Sequence, residues 1–253
     1  KNKTMEQFMK LRAFIDMEMI DWSELSLNFS AIKILEANQE NIDWTELSRN
    51  LSAINLLEAK PDKINWYILS GNPSAMKLIE ANQENINWQM LSSNTAPGAI
   101  KLLKANQGKI RWSMLSLNSA PEAIKLLEAN PEKIDWYWLS LNPSAMKLLE
   151  ANQEKICWRH LSENPSATKL LEANQEKINW IWLSKNPSPG SMNLLESNQD
   201  KINWYMLSQN TSYRAIKLLE ANQNKIHWAC LSRNPSIFEY DYQAMKDRMY
   251  NSG

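Results

Sequence analysis

The spacing of tryptophan constrains the fold of this chain more than any other feature. Ten of its twelve tryptophans recur at intervals of 22 or 24 residues. A period of this length is typical of tandem repeats, in which each unit buries its apolar face against the next copy. We therefore predict about ten stacked repeats over residues 20–235, with these tryptophans as structural core residues: Trp22, Trp44, Trp66, Trp88, Trp112, Trp136, Trp158, Trp180, Trp204 and Trp228.

Each repeat contains a run that favours an α-helix, here named helix A. The consensus is N-P-S-A-[I/M]-K-L-L-E-A-N-Q-E-K-I-[D/N]-W-x-x-L-S-x, and residues 142–161 follow it closely. Alanine, methionine, lysine, leucine and glutamate are strong helix formers, and proline is favoured at a first helical position. Helix A is predicted to begin at the proline, and Asn152 is predicted to end it in the left-handed conformation common at helix C-termini.

A second, shorter helix, here named helix B, is predicted to begin at each repeat tryptophan. An aspartate or asparagine precedes most of the tryptophans and makes a good N-cap. Helices this short are marginal in isolation, so stacking of Trp, Ile and Leu layers must stabilise them. The predicted caps are Asp43, Asn65, Asn87, Asp135, Asn179 and Asn203.

The predicted fold class is all-α: an α-solenoid of about ten short helix-pair repeats with helical N- and C-terminal caps. A leucine-rich-repeat horseshoe is the main alternative, since it shares the repeat length and a repeated asparagine. The absence of an L-x-L strand pattern favours helix pairs. Residues 1–19 are predicted to form a capping helix, and residues 236–253 a second cap, a docking helix or the start of a truncated region. Because the chain begins at Lys1 without methionine, we expect a fragment of a longer product.

The stretch from Leu139 to Trp158 carries the motif L-S-x-N-P-x-A-[I/M]-x-L-L-E-x-N-x-x-x-I-[D/N]-W in nearly complete form. This motif resembles tandem-repeat proteins of mimivirus-like giant DNA viruses, and the resemblance extends from about Ile20 to Tyr242. It implies a viral repeat protein without a catalytic motif, located in the host cytoplasm or the virus particle. The chain departs from the motif at Lys60-Pro61, Arg111, Cys157 and Thr168, which brings local helix capping into question.

The two residues after each repeat tryptophan vary while their surroundings repeat, as partner-reading positions of a solenoid do. Many are aromatic or methionine, residue types enriched in interface cores and hot spots. An open alternative is that the second residue of each pair fills space between adjacent repeats. The predicted partner-binding residues are Tyr67, Met90, Met114, Tyr137, Trp138, His160, Trp182, Tyr205 and Met206.

Charge patterning leaves nucleic acid as an alternative partner. The chain carries 28 basic and 28 acidic residues, so no overall field favours a polyanion. One lysine recurs on helix A and could track a phosphate backbone, but a glutamate follows it three residues later and would form intrahelical ion pairs. These lysines are Lys33, Lys77, Lys101, Lys125, Lys147, Lys169 and Lys217.

Catalytic chemistry has little support in the sequence. The only histidines and cysteines form two half-sites, Cys157 with His160 and His227 with Cys230, too far apart to complete one zinc site. We therefore predict no catalytic residue, no cofactor and no resident metal. No secretory or membrane-spanning pattern occurs, and two distant cysteines fit a reducing, intracellular location. The predicted function is a non-catalytic scaffold for protein–protein interaction, with nucleic-acid binding or a structural role in a viral assembly as alternatives.

Overall fold

The computed structural model of the chain describes residues 20–231 together with Asn234 and Ser236. These residues form short helices joined by turns, with no β-strand among them. The predicted all-α repeat fold is thereby confirmed, and the strand required by a leucine-rich repeat does not occur in residues 20–231. The predicted caps over 1–19 and 236–253 lie outside the described residues, except for Ser236.

The α-helices of the described residues alternate between the two predicted types. Helices with odd numbers are helix B and begin at a repeat tryptophan, and helices with even numbers are helix A. In chain order they are α1 (Trp22–Leu27), α2 (Ile32–Ala37), α3 (Trp44–Leu47), α4 (Ile54–Ala59), α5 (Trp66–Leu69), α6 (Met76–Ala81), α7 (Trp88–Ser93), α8 (Pro97–Ala105), α9 (Trp112–Leu117), α10 (Pro121–Glu128), α11 (Trp136–Leu139), α12 (Met146–Glu150), α13 (Trp158–Glu163), α14 (Thr168–Glu172), α15 (Trp180–Leu183), α16 (Pro189–Ser197), α17 (Trp204–Leu207), α18 (Tyr213–Ala221) and α19 (Trp228–Leu231).

A third helical segment, not predicted from the sequence, follows each described helix A. It is a single 3₁₀ turn that carries the Q-E-K part of the consensus and directs the chain back toward the next helix B. These turns are Gln39–Asn41, Pro61–Lys63, Gln83–Asn85, Gln107–Lys109, Pro131–Lys133, Gln153–Lys155, Gln175–Lys177, Gln199–Lys201 and Gln223–Lys225.

The start of helix A depends on repeat length. In the 24-residue repeats Pro97, Pro121 and Pro189 are the first residues of α8, α10 and α16, as predicted. In two 22-residue repeats the proline instead opens a 3₁₀ turn, Pro73–Ala75 or Pro143–Ala145, and the α-helix begins at the methionine that follows. The two extra residues therefore lengthen helix A at its N-terminus.

The predicted N-caps of helix B are confirmed where the structure describes their hydrogen bonds. The Asp43 carboxylate accepts hydrogen bonds from the backbone N–H groups of Thr45 and Glu46. Asn65, Asn87, Asn179 and Asn203 each accept one from the residue three positions later. Arg111 and Cys157 make no such bond, so helices α9 and α13 begin without a side-chain cap.

The prediction of a left-handed asparagine at the end of helix A is wrong. Asn152 has a φ of −138°, and no non-glycine residue in the described part of the chain has a positive φ. Its side chain ends the helix instead, because Nδ2 donates to the carbonyl oxygen of Leu148 at 2.9 Å. This bond satisfies a carbonyl that the helix leaves open, so the amide replaces the left-handed turn.

The chain divides into two compact units, one ending at Asp135 and the other beginning at Trp136. Each is built from the same repeats and has the same core. From Leu47 to Leu207 the leucine three residues after the tryptophan is fully buried, and so is a leucine or isoleucine of helix A, as at Leu57 or Leu171. The isoleucine before the N-cap closes each layer, and an alanine near the start of helix A lets the helices approach closely.

The repeat tryptophans, which the sequence predicts as structural core residues, are only partly enclosed. From Trp22 to Trp204 they are half-buried, and Trp228 is 63% exposed. The smaller leucine of each helix B points into the core, whereas the indole lies along the edge of the repeat with part of its surface against solvent.

Buried hydrogen bonds between repeats come from the serine and asparagine of the L-S-x-N motif. The Ser162 hydroxyl donates to the Trp158 carbonyl at 2.7 Å and accepts from the Asn179 N–H at 2.9 Å. The Asn186 amide donates to the carbonyls of Ser162 and Asn164, both at 3.0 Å. Equivalent asparagines with the same double donation are Asn72, Asn94, Asn118, Asn164, Asn210 and Asn234.

Candidate interaction surface

Helix B sorts the two variable positions by exposure. Because a helix turns about 100° per residue, the leucine at the third position after tryptophan points inward and the first position points away from it. The first-position residues Tyr67, Tyr137, Ile181 and Tyr205 are between 46% and 49% exposed. Their rings and side chains are large apolar surfaces in contact with solvent.

The second variable position is more enclosed. Met90, Met114, Trp138, Trp182 and Met206 are half-buried, and His160 is buried. The Met90 methyl lies 3.0 Å from the point where a Cβ on Gly71, in the preceding repeat, would stand. Met90 therefore fills space between two repeats, which is the alternative that the sequence left open for this position.

Four of the predicted partner-binding residues come together in the second unit, three of them in direct ring contact and Trp182 through Arg159. The Tyr137 and Trp138 rings meet edge to face with centroids 5.1 Å apart. The His160 ring, one repeat later, lies 3.9 Å from Tyr137 and 5.8 Å from Trp138, again between centroids. We refer to Tyr137, Trp138 and His160 with the neighbouring Arg159 and Trp182 as the aromatic cluster.

His160 is the enclosed member of the aromatic cluster. Its Nδ1 has no hydrogen-bond partner within the described residues. Burial lowers the pKa of the imidazole below its usual 6.5, the positive charge of Arg159 lowers it further, and Glu163 opposes both. The ring is therefore neutral at pH 7 and packs as an aromatic group.

The Trp182 end of the cluster carries charged groups that the sequence interpretation did not single out. The Arg159 guanidinium lies 5.0 Å from the Trp182 ring centroid, and the Lys185 ammonium lies 5.9 Å from it. Lys185 also pairs with Glu163 at 2.8 Å. Glu163 and Lys185 occupy the x of L-S-x in successive repeats. That position lies four residues after the first variable residue and hence on the same helix face.

The remaining predicted residues lie apart from the aromatic cluster. Tyr67, Met90 and Met114 belong to the first unit. Tyr205 packs against the His227 ring at 4.6 Å and borders a groove of about 480 Å³ that also includes Gln209 and Cys230. Met206 accepts a weak hydrogen bond from Gln209 at 3.9 Å.

Six repeat tryptophans of the described residues each have a lysine over the indole ring. The last residue of the 3₁₀ turn places its ammonium 4.5 to 4.9 Å from the ring centroid of the tryptophan one repeat earlier, within the range of a cation–π contact. The sequence interpretation missed this series, although a lysine recurs just before I-x-W. The pairs are Lys109 with Trp88, Lys133 with Trp112, Lys155 with Trp136, Lys177 with Trp158, Lys201 with Trp180, and Lys225 with Trp204, and we call these lysines the stacking lysines.

The helix A lysines are partly neutralised. Lys217 pairs with Glu220 at 2.7 Å in the predicted i,i+3 register. Lys125 instead pairs with Glu122, on its N-terminal side, at 2.8 Å. Each ion pair reduces the positive charge that a phosphate backbone would meet at that repeat.

The two cysteine–histidine half-sites do not converge. No group of three or more potential metal ligands forms among residues 20–231. The His227 Nδ1 accepts a hydrogen bond from the Cys230 N–H at 3.3 Å and so acts as a local helix cap. Both cysteines are free thiols. Within the same range no helix is long and apolar enough to span a membrane.

Comparisons of this chain with family models, curated proteins and solved structures find no match. The functional argument therefore depends on the geometry and chemistry of the surfaces described above.

Proposed function

We propose that this chain is a non-catalytic repeat scaffold that binds a protein partner through the aromatic cluster. The observation that carries the proposal is the exposed Tyr137 ring, seated on His160 and Trp138 beside the Arg159–Trp182 stack. Tyrosine, tryptophan and arginine are the residue types that dominate interface hot spots.

The cluster has the physical properties of an anchoring site. The Tyr137 ring is held by neighbouring rings before any partner arrives, so little side-chain entropy is lost on binding. The Lys185–Glu163 pair borders the rings and supplies polar groups of both signs at the rim. A partner that covers Tyr137 and Trp182 would bury apolar area at the centre and keep charged groups at the edge, as stable interfaces do.

Nucleic-acid binding along helix A is the weaker proposal. The overall charge is zero, and Lys125 and Lys217 are paired with glutamates.

The resemblance to repeat proteins of giant DNA viruses extends our proposal to a viral scaffold that acts in the host cytoplasm or within the virus particle.

Affinity capture with quantitative mass spectrometry tests the proposal. The immobilised full chain and a Tyr137→Ala/Arg159→Glu variant would be exposed to lysate of amoebae infected with a giant virus. Tyr213→Ala is the matched control, because Tyr213 is a 69% exposed tyrosine of the same unit that lies on helix A.

We expect at least one partner to be depleted tenfold or more by the cluster variant and retained by Tyr213→Ala. Circular dichroism and thermal unfolding would verify that both variants are folded. Equal recovery of every partner on the cluster variant and on wild type would show that the aromatic cluster is not the binding surface.

A further inference from the structure

One repeat of the first unit is charged unlike its neighbours. Residues 94–117 contain Lys101, Lys104, Lys109 and Arg111 and no acidic residue. The preceding 22 residues carry one basic and two acidic residues, and residues 118–141 carry two basic and four acidic ones. A patch of positive charge about one repeat wide therefore lies between two repeats with an acidic excess.

The patch coincides with a groove beside Trp88. The groove has a volume of about 530 Å³, and Trp88, Gln89, Gly108, Lys109 and Arg111 line it. The Lys109 ammonium lies 4.5 Å from the Trp88 ring centroid. No acidic side chain is among the lining residues, and we call this feature the Trp88 groove.

Two substitutions in the repeat pattern create the positive groove. Position 108 is glycine, where the corresponding residue of most repeats is acidic, as Glu84 and Glu132 are. Position 111 is arginine, where the other repeats have Asp, Asn, Cys or His. The Arg111 side chain makes no hydrogen bond to the start of α9, whereas the usual asparagine or aspartate at this position caps its helix. Both changes flank Lys109, whose position is lysine in most repeats, and raise the local positive charge.

The cations of the basic repeat differ in how far they are neutralised. Lys104 shares Glu122 with Lys125, at 3.5 Å and 2.8 Å. Lys109 and Arg111 are both exposed and line the groove itself. They are separated by one residue, so they can approach one small anionic group from two directions.

We propose that the Trp88 groove binds an anionic side chain of a protein partner, a carboxylate or a phosphorylated residue. This inference rests on the proposed protein-binding function and names a second contact with its own chemistry. Arginine and lysine recognise carboxylate and phosphate oxygens by charge-assisted hydrogen bonds, and the Trp88 indole would pack against the carbon atoms beside the anionic group.

The size of the patch favours a short anionic peptide over nucleic acid. A nucleic-acid strand gains affinity by neutralising many successive phosphates. Stacked repeats lie about 9–10 Å apart, close to the Debye length of about 8 Å at physiological salt, so acidic neighbours would repel a long polyanion. A peptide with one or two negative charges meets only the basic repeat.

Fluorescence anisotropy with defined probes tests the inference. The probes are three fluorescein-labelled 12-residue Gly/Ser peptides whose centre is phosphoserine, Glu-Glu or Ser-Ser, and a 12-nucleotide oligothymidylate. We expect the full chain to bind the phosphoserine peptide, the Glu-Glu peptide or both at least tenfold more tightly than the Ser-Ser peptide. The first two arms distinguish the two sources of negative charge.

The decisive variant restores the ordinary repeat. Arg111→Asn supplies the missing cap, and Gly108→Glu enters open space, since nothing lies within 4 Å of a Cβ built there. The double variant should therefore fold at least as well as wild type and lose anionic-peptide binding by tenfold or more. Lys109→Gln should weaken binding at least threefold, whereas Lys177→Gln, which removes the stacking lysine over Trp158, should leave it unchanged.

The inference is overturned if no anionic peptide exceeds the Ser-Ser peptide, or if the double variant binds as wild type does. Tighter binding of the oligonucleotide than of either anionic peptide would overturn it in favour of nucleic acid. These outcomes are independent of the aromatic cluster, because Tyr137 and Arg159 lie in the other unit. Failure of the capture experiment and failure of the peptide experiment are thus distinguishable.

Discussion

The side-chain amide of Asn186 donates a hydrogen bond to the backbone carbonyl of Asn164, its counterpart in the preceding repeat, at 3.0 Å. The same nitrogen donates to the Ser162 carbonyl, and Oδ1 accepts from the Ser188 N–H. Asn186 is completely buried, so one side chain satisfies three backbone groups that water does not reach. This geometry explains why the L-S-x-N motif recurs so regularly.

Replacing Asn186 with alanine should destabilise the fold strongly. The change removes three buried hydrogen bonds, although the Asn164 carbonyl keeps a second partner, the Ala167 N–H, and we expect a loss of about 2–4 kcal/mol in the free energy of unfolding. Urea unfolding followed by circular dichroism measures it. The control is Asn174→Ala, because Asn174 is half-buried and its amide donates only to the Leu170 carbonyl at the end of helix A. A loss no larger than that of the control would contradict the proposed role of Asn186.

The stacking lysines should contribute to stability more than other exposed lysines of the same repeats. Changing Lys155 and Lys177 together to glutamine removes the cations over Trp136 and Trp158, and we expect a loss of about 1–2 kcal/mol. The matched control changes Lys147 and Lys169, exposed on helix A, to glutamine. Both double variants remove the same charge, so an equal effect on the urea midpoint would exclude a specific role for the indole contact.

The local features of the fold are those that the sequence predicts well. Helix A follows from a run of strong helix formers, and helix B from an N-cap such as Asn179 placed before an apolar pair. Each depends on contacts within a few residues of the chain. The exposed Tyr137 and Tyr205 were also predictable, because the first residue after the tryptophan lies opposite the buried leucine.

The features that the sequence interpretation missed depend on the register between repeats. The Asn186 amide reaches carbonyls 22 and 24 residues away, and Lys177 reaches Trp158 across one repeat. Periodicity shows that such residues recur but not which partner each one faces. The exposure of the tryptophans also depends on this register, because a stacking lysine of the next repeat lies over several of the rings. The Trp88 groove was missed because its signal is the loss of acidic residues rather than a motif.

Acid should destabilise the second unit through His160. Because the pKa of His160 is lowered below 6.5 in the folded chain, the unfolded chain binds the proton more readily. The stabilising contribution of the neutral imidazole is complete above about pH 6.5 and is lost as pH falls through the folded pKa. We therefore expect wild type to lose more of its free energy of unfolding than His160→Phe does when the pH is lowered from 7.5 to 5.

Arg159→Gln provides the matching test of cause. Arg159 lowers the pKa of His160 by charge, so this variant should move that pKa toward its ordinary value and reduce the pH dependence. An NMR titration of the His160 ring measures the shift directly, and His160→Phe assigns the signal. A wild-type pKa at or above 6.5 would show that burial does not control this histidine.

A single substitution should supply the cap that helix α13 lacks. Cys157 precedes Trp158 without a side-chain hydrogen bond, whereas Asn179 at the equivalent position of the next repeat accepts one from the Trp182 N–H. Cys157→Asn should therefore raise the free energy of unfolding by about 0.5–1 kcal/mol, because the new amide oxygen can accept from the His160 N–H. Cys157→Ala removes the same thiol without adding an acceptor and should give no gain. If the asparagine and alanine variants unfold at the same urea concentration, capping does not limit the stability of this repeat.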